Sequence, residues 1–378
     1  MRAVGGLATM VGLLVGCAKS PPAPAKSGPM EDPVVPLRHP DGPDAFEPLE
    51  KVRTKVDPAF VYDYSQTRFV PPADKTLLIV GQTVQRIEEY VEAFPDQPLP
   101  GGWSAYWPVN KFEGIEEPHT NQTGGTQHHQ WLVDEFPNTV LHSAIWMVGT
   151  WDVAKKTVEG EYDDVLKRFA SWARAIDRPL YLRIGYEFDG PHNELEPADY
   201  VAAYRHVADL LEAKRVDNVA FVWHSYAAAP YGGHPVEAWY PGDDYVDWAG
   251  ISTFGQVYDG GGFGSYGDAV LAFAKEHGKP VMIAEANPVR GIASEGVDVW
   301  GAWFVDFFSL VHEKNIKAVA FVNEDWRSFG PGGLLDWQDG RLLNNPRVAR
   351  AWFEETGRDR YLKQSPELFE TLGYRPSR

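Results

Sequence analysis

From Pro48 onward the chain alternates short apolar runs with amphipathic stretches, and this alternation restricts the fold more than any other feature. Strand-length runs joined by helix-length segments imply parallel strands with helical crossovers, because a parallel pair cannot be joined by a tight turn. Eight runs have strand character: Thr76 to Gly81, Trp103 to Trp107, Val140 to Val148, Leu180 to Tyr186, Val219 to Trp223, Trp248 to Thr253, Val281 to Ala284 and Ala318 to Val322. Helices are predicted near Val84 to Phe94, Tyr162 to Ala175, Pro197 to Lys214, Tyr266 to His277, Gly296 to Lys314 and Pro346 to Glu355. In the third of these, Tyr200, Tyr204, Val207, Leu210 and Leu211 recur at helical spacing and form one apolar face, with Pro197 suited to the first turn. Eight strands without an internal repeat predict an α/β protein, a single (β/α)8 TIM barrel over residues 44–378. A doubly wound open sheet is the alternative, but no Gly-x-Gly-x-x-Gly follows a strand.

A barrel brings the C-terminal ends of its strands together at one mouth, whatever their separation in sequence. Two apolar runs end in a glutamate. Pro179-Leu-Tyr-Leu-Arg-Ile-Gly-Tyr-Glu187 turns polar at its end, and Lys279-Pro-Val-Met-Ile-Ala-Glu285 does the same. Two carboxylates facing each other across a mouth point to glycoside hydrolysis, in which one donates and accepts protons and the other attacks the anomeric carbon or activates water. The plainer reading of each glutamate is a salt-bridged surface group. Arg183 lies four residues before Glu187, on the same face of an extended strand. A cation holds a nucleophilic carboxylate ionised, whereas a general acid must keep its proton, so Arg183 is expected nearer Glu285 than Glu187.

The residues around these glutamates resemble a known family. Arg183-Ile-Gly-Tyr-Glu187-Phe-Asp-Gly190 is similar to the Arg-Pro-Leu-His-Glu-Met-Asn-Gly segment of glycoside hydrolase family 26, the β-mannanase family. Tyr240 to Ile251 resembles that family's approach to the sixth strand, Lys279 to Glu285 its nucleophile strand, and Ala320-Phe-Val-Asn-Glu-Asp-Trp326 its eighth strand with a Trp under the sugar. The matches run in the family's order from about Leu180 to Trp326. The resemblance implies a retaining (β/α)8 glycosidase with Glu187 as acid/base, Glu285 as nucleophile and no cofactor. Tyr186 stands where the family has His, and Phe254 falls where many such barrels place a Tyr hydroxyl, a role open to Tyr258. These departures bear on the substrate more than on the chemistry.

Further candidates for contact with the glycan are Asp189 and Asn287, just past the two glutamates, Trp223 and His224 at the fifth strand's end, and Trp326. Turn formation and packing are the competing readings for them. Adjacent His128 and His129 would point apart, so no metal site is expected, and Asp243-Asp244 and Glu324-Asp325 are weak calcium candidates. Two connections are long, Val109 to Trp131 and Tyr226 to Asp247, which in a compact domain marks functional or mobile loops.

A net charge of −18 excludes a nucleic-acid partner, since phosphates demand a basic surface. Residues 1–16 combine a basic start with a short apolar run and read as a signal peptide. Leu14-Val-Gly-Cys17 resembles the bacterial lipoprotein box and makes Cys17, the sole cysteine, the expected lipidation site. Residues 17–43, rich in Pro, Ala, Lys and Ser, would then tether a monomeric domain to the membrane of the cell envelope. The expected activity is retaining β-glycoside hydrolysis of a polysaccharide or oligosaccharide. The alternatives are an inactive glycan-binding lipoprotein, or a related barrel hydrolase or transglycosylase with another glycan.

Overall fold

Each of the predicted apolar runs becomes a strand, and the eight strands close on themselves. They are β1 (Thr76–Gly81), β2 (Gly102–Pro108), β3 (Val140–Trp146), β4 (Leu180–Ile184), β5 (Val219–Ser225), β6 (Trp248–Thr253), β7 (Val281–Ala286) and β8 (Ala318–Val322). They pair in parallel and in chain order, and β8 returns to β1 with Leu77 opposite Ala318. The computed structural model describes residues 50–121, 124–147, 152–228, 231–255, 264–292, 299–329 and 335–377. Cys17, Tyr258, the signal peptide and the tether lie outside them.

Side-chain alternation divides the apolar residues into two layers. Outward residues such as Leu78, Trp103, Leu141, Leu182, Phe221, Ile283 and Phe321 pack with the helices in one large core. Inward residues, among them Leu77, Val140, Tyr181, Val222, Trp248 and Met282, form a second core inside the barrel. The helices around the barrel include α1 (Val84–Ala93), α2 (His129–Glu135), α3 (Val153–Val158), α4 (Asp163–Ala175), α5 (Pro197–Ala213), α6 (Gly264–Glu276), α7 (Val305–Glu313) and α8 (Pro346–Thr356). In α5 the face predicted from spacing is buried through Tyr200, Tyr204, Val207 and Leu211, with Leu210 at its margin.

The N-terminal ends of the strands are sealed by the segment that precedes β1. Phe69 packs into the inner core, and its carbonyl accepts from the Tyr181 hydroxyl at 2.6 Å. Trp248 donates to the Arg68 carbonyl at 2.9 Å. Lys317 places its ammonium on the carbonyls of Pro72 and Ala73, and burial pushes it down to about 8. With one end sealed, the C-terminal mouth is where a ligand can enter.

Several expectations change, among them the end of β5, which runs on to Ser225, and that of β3, which stops at Trp146. Strand β4 ends at Ile184 rather than Tyr186 because Gly185 turns left-handed, with φ 59°. Strand β7 extends two residues further, through Ala286. The long connection from Val109 to Trp131 is an ordered insertion that carries a hairpin (His119–Thr120 with Thr126–Gln127) and the start of α2.

Candidate active site

The backbone must break from strand geometry to deliver Glu187. After Ile184 both Gly185 and Glu187 adopt positive φ, 59° and 50°, and for a glutamate this conformation costs roughly 1–3 kcal/mol. Gly185 tolerates it because it has no Cβ; one added there would lie 3.1 Å from the Met147 sulfur and the Tyr200 ring. The turn is held by Asn193, whose amide donates to the carbonyls of Tyr186 and Glu187 at 2.8 and 2.7 Å. The Glu187 side chain is then aimed into the mouth. Its Oε1 accepts from the Ser252 hydroxyl, and its Oε2 lies 2.8 Å from Nε2 of His192.

Glu285 arrives by a different device. Along β7, Met282 and Ala284 face the inner core while Ile283 and Ala286 face the outer one, so strict alternation would point Glu285 outward. The pairing register with β6 shifts between Ile251 and Ser252, which sit opposite Ile283 and Glu285 and leave Ala284 as an extra residue. This bulge turns Glu285 inward. There Arg183 Nη1 donates to its Oε1 at 2.5 Å and the Tyr106 hydroxyl donates to the same oxygen at 2.7 Å. Arg183 is fully buried, so the cation expected beside Glu285 is present and shielded from water.

Polar groups inside the barrel connect the two carboxylates. His224 Nε2 lies 3.0 Å from the Ser252 hydroxyl that bonds Glu187, and its Nδ1 lies 3.5 Å from Arg183 Nη1. Burial, reinforced by the charges of Arg183 and His192, holds His224 well below its ordinary range and hence neutral. Burial lowers His192 too, but the hydrogen bond to Glu187 and the nearby carboxylate charges outweigh it and leave this imidazole above its ordinary value. Burial and the charge of Glu187 push Glu285 up to about 7, against the pull of Arg183 and Tyr106.

Among the residues singled out from the sequence, Glu187, Glu285, Arg183, Tyr186 and His224 come together at the mouth. The Tyr186 ring lies 5.5 Å from the Arg183 guanidinium and meets Tyr106 edge-on at 5.2 Å. Trp223 does not join them. It neighbours His224 on a strand and therefore points to the opposite face, stacking on Phe188 at 4.9 Å and donating to the Trp239 carbonyl.

Asp189 is also engaged within the protein. Its oxygens accept from the Ser225 hydroxyl and the Tyr226 amide, both at 2.6 Å, tying the end of β4 to β5, and burial raises it to about 6. Asn287 donates to the Val322 and Gly340 carbonyls and accepts from the Trp326 indole at 2.9 Å. Any side chain at Gly340 would collide with it, since a Cβ there would stand 2.0 Å from its Oδ1. Trp326 packs against Phe254, Phe329 and Trp337 and is 4% exposed, so little of its face is open to a sugar.

Glu324 and Asp325 are held by Arg86, Arg327 and Arg341, which makes them ion-pair partners rather than calcium ligands. His129 is buried between the Gly114 carbonyl and the Ser143 hydroxyl. Among the described residues, no group of three or more His, Cys, Asp or Glu is placed to hold a metal ion.

Tyr106, Ser252, His192 and Asn193 were not anticipated. A signal for the first two exists in alternation. Gly102, Ser104 and Tyr106 share one strand face, as do Trp248, Gly250 and Ser252, and a face carrying small or polar residues in a buried strand is the one turned to the barrel axis. His192 and Asn193 lie in a loop and have no such periodic signal.

The glycosyl hydrolase family 26 model matches residues 178–304, a span that contains Arg183 and both glutamates. Over 327 residues, 80% of this chain, the sequence is 27% identical to a β-1,3-xylanase of a Vibrio species, covering 69% of that protein. Over the same length it is 25% identical to a β-1,3-xylanase of an Alcaligenes species, covering 68% of it. An endo-β-1,4-mannanase double mutant of Cellulomonas fimi shares the barrel with a TM-score of 0.56 at 14% identity, over 86% of this chain and 80% of that one.

Proposed function

We propose that this chain, a glycoside hydrolase related to family 26, cleaves a β-linked polysaccharide by double displacement with Glu285 as nucleophile and Glu187 as acid/base. The observation that supports the assignment best is the inequality of the two carboxyls. Glu285 is clamped by a buried guanidinium and a phenol, which favour charge, while Glu187 meets a hydroxyl and an imidazole. In the first step a carboxylate oxygen of Glu285 bonds to the anomeric carbon, the glycosidic C–O bond breaks, and the leaving oxygen takes the proton of Glu187. In the second step Glu187 removes a proton from water, whose oxygen bonds to the anomeric carbon as the ester to Glu285 breaks. Glu187 regains its proton and Glu285 its charge.

For the substrate, β-1,3-xylan is the leading candidate. The two curated relatives matched over 80% of the chain are β-1,3-xylanases, and Tyr186 replaces the His of the mannanase pattern beside the acid/base. The test is reducing-sugar release from β-1,3-xylan, β-1,4-xylan, mannan and β-glucan, with Glu285→Ala as control. Release from β-1,3-xylan by the wild type alone is expected. Binding without release from any of the four would favour an inactive glycan-binding protein.

The N-terminal sequence supports a location as well. Cys17 would be lipidated after cleavage of residues 1–16, with residues 17–43 holding a monomeric barrel off the membrane of a bacterial envelope. Metabolic labelling with a radioactive fatty acid in a bacterial host should mark the wild type and not Cys17→Ser. Equal labelling of the two would dismiss the anchor.

A further inference from the structure

We propose that Tyr106 is the positioning residue of Glu285, sharing Oε1 with Arg183 so that Oε2 is the oxygen that attacks the anomeric carbon. The proposal rests on the reading of Glu285 as the nucleophile. Among the described residues, the hydrogen bonds to this carboxylate both end on Oε1: the Tyr106 hydroxyl at 2.7 Å and Arg183 Nη1 at 2.5 Å. A lone pair already accepting a charge-assisted hydrogen bond is a poorer nucleophile than one that is not, so the two oxygens have different tasks.

The phenol is built into place. Its backbone amide donates to Oε1 of Gln127 at 2.9 Å, and Gln127 is buried in the hairpin of the long insertion after β2. The hairpin is packed so closely that a Cβ on Gly114 would lie 2.8 Å from the Gln127 side chain. The Arg183 guanidinium sits 4.7 Å from the centre of the Tyr106 ring, and the Tyr186 ring meets it edge-on. Burial keeps the hydroxyl well above its ordinary range, which makes it a donor at any pH the protein meets. Phe254, on the far side of the mouth, has no hydroxyl to offer, and its ring packs against Trp326 and Trp337.

The two donors act differently in the two steps. Forming the ester removes charge from Glu285 and weakens both hydrogen bonds, whereas breaking it restores the charge on a carboxylate that they stabilise. Loss of the hydroxyl therefore slows the second step more than the first. The charged and titratable groups facing Glu285 are Arg183 from β4, Tyr106 from β2, and Glu187, Tyr186 and His192 from the turn after β4. Removing one donor from this set makes Glu285 easier to protonate.

The experiment compares Tyr106→Phe with the wild type, using a dinitrophenyl β-xylobioside and whichever polysaccharide the wild type cleaves. The variant keeps the ring and its contacts, and a single cooperative thermal transition with an unchanged circular dichroism spectrum verifies that it folds. The expected result is a fall in kcat of roughly tenfold to a hundredfold, the range for a hydrogen bond to a charged group. KM should fall with it, a burst of dinitrophenolate should appear as the glycosyl-enzyme accumulates, and the acid limb of kcat/KM should move to higher pH. Unchanged kcat and an unmoved acid limb would overturn the proposal. Labelling with a 2-deoxy-2-fluoro glycoside, followed by peptide mapping, separates the two readings. A label on a residue other than Glu285 refutes the nucleophile assignment itself, whereas a label on Glu285 with a kinetically silent Tyr106→Phe refutes only the role of Tyr106.

Discussion

The ends of β4 and β7 both deliver a glutamate to the barrel mouth, but they do so by different means. On β4 the strand stops at a left-handed glycine and Glu187 itself takes a positive φ, at a local energetic cost offset by Asn193. On β7 the strand continues and one extra residue, Ala284, turns the next side chain inward. The surroundings differ in the same sense. Glu285 faces a buried cation and a phenol, while Glu187 faces Ser252 and the partly exposed His192. Identical side chains thus acquire different hydrogen-bond partners, as suits a double displacement, which asks different work of its two carboxyls.

The sharpest way to break the comparison is to remove each carboxyl and supply azide in its place. Glu187→Ala should lose roughly 10²- to 10⁴-fold in polysaccharide hydrolysis, the usual contribution of general acid–base catalysis, and Glu285→Ala at least as much. On an activated β-glycoside, azide should restore turnover in both. The product should be the β-azide for Glu187→Ala, where azide attacks the glycosyl-enzyme, and the α-azide for Glu285→Ala, where it replaces the nucleophile. Proton NMR of the products reads the outcome, and the reverse pattern would exchange the two roles.

A smaller effect should distinguish the neighbours. Arg183→Ala leaves Glu285 buried without its cation and should cost roughly 3–5 kcal/mol in urea unfolding, whereas Ser252→Ala removes one hydrogen bond and should cost about 1–3 kcal/mol. Equal losses would mean that the charge asymmetry described for the two glutamates does not exist.

The subtlest test is pH. Burial and the charge of Glu187 hold Glu285 up to about 7, so kcat/KM on polysaccharide should rise as pH rises through that value and Glu285 takes up its charge. A dinitrophenyl glycoside needs the same charged carboxylate and should show the same rise, and a flat profile would contradict the raised value of Glu285. The sign for stability follows from the same raised value. An unfolded glutamate ionises near about 4.3, so between that pH and about 7 the folded protein holds more protons and its stability falls as pH rises. Thermal melts from pH 4.5 to 8 would detect this slope, and a stability that rises across the interval would contradict it.

Much of this architecture was legible from the chain. Apolar runs at the right intervals located all eight strands, and α5 was readable because Tyr200, Tyr204, Val207 and Leu211 repeat at 3.6-residue spacing. The insertion after β2 was not readable, because its strands of two residues have no period to detect and its helix starts at adjacent histidines. Trp223 shows a different failing. The run was correct, but the side of the strand it occupies was not weighed, and strict alternation sends it away from the mouth that His224 faces.

The sequence by itself determined the barrel and the strands that would carry two glutamates, because hydrophobic period is local and each run records its own exposure. It also predicted Arg183 and Glu187 on one face of an extended strand, which the structure does not keep, because β4 ends at Ile184 and Glu187 lies in the turn beyond it. That this cation would serve Glu285 was also expected, and only the tertiary structure decided the distances across the barrel by which Arg183 reaches from β4 to β7. It likewise decided that Tyr106 is a partner of Glu285, that Asp189 and Asn287 are consumed by carbonyls, amides and hydroxyls of neighbouring strands, and that a bulge at Ala284 turns Glu285 inward. The physical reason is common to all of these. Charge, strain and hydrogen bonding at the mouth are set by groups that the closure of the barrel brings together and that lie up to 179 residues apart in the chain.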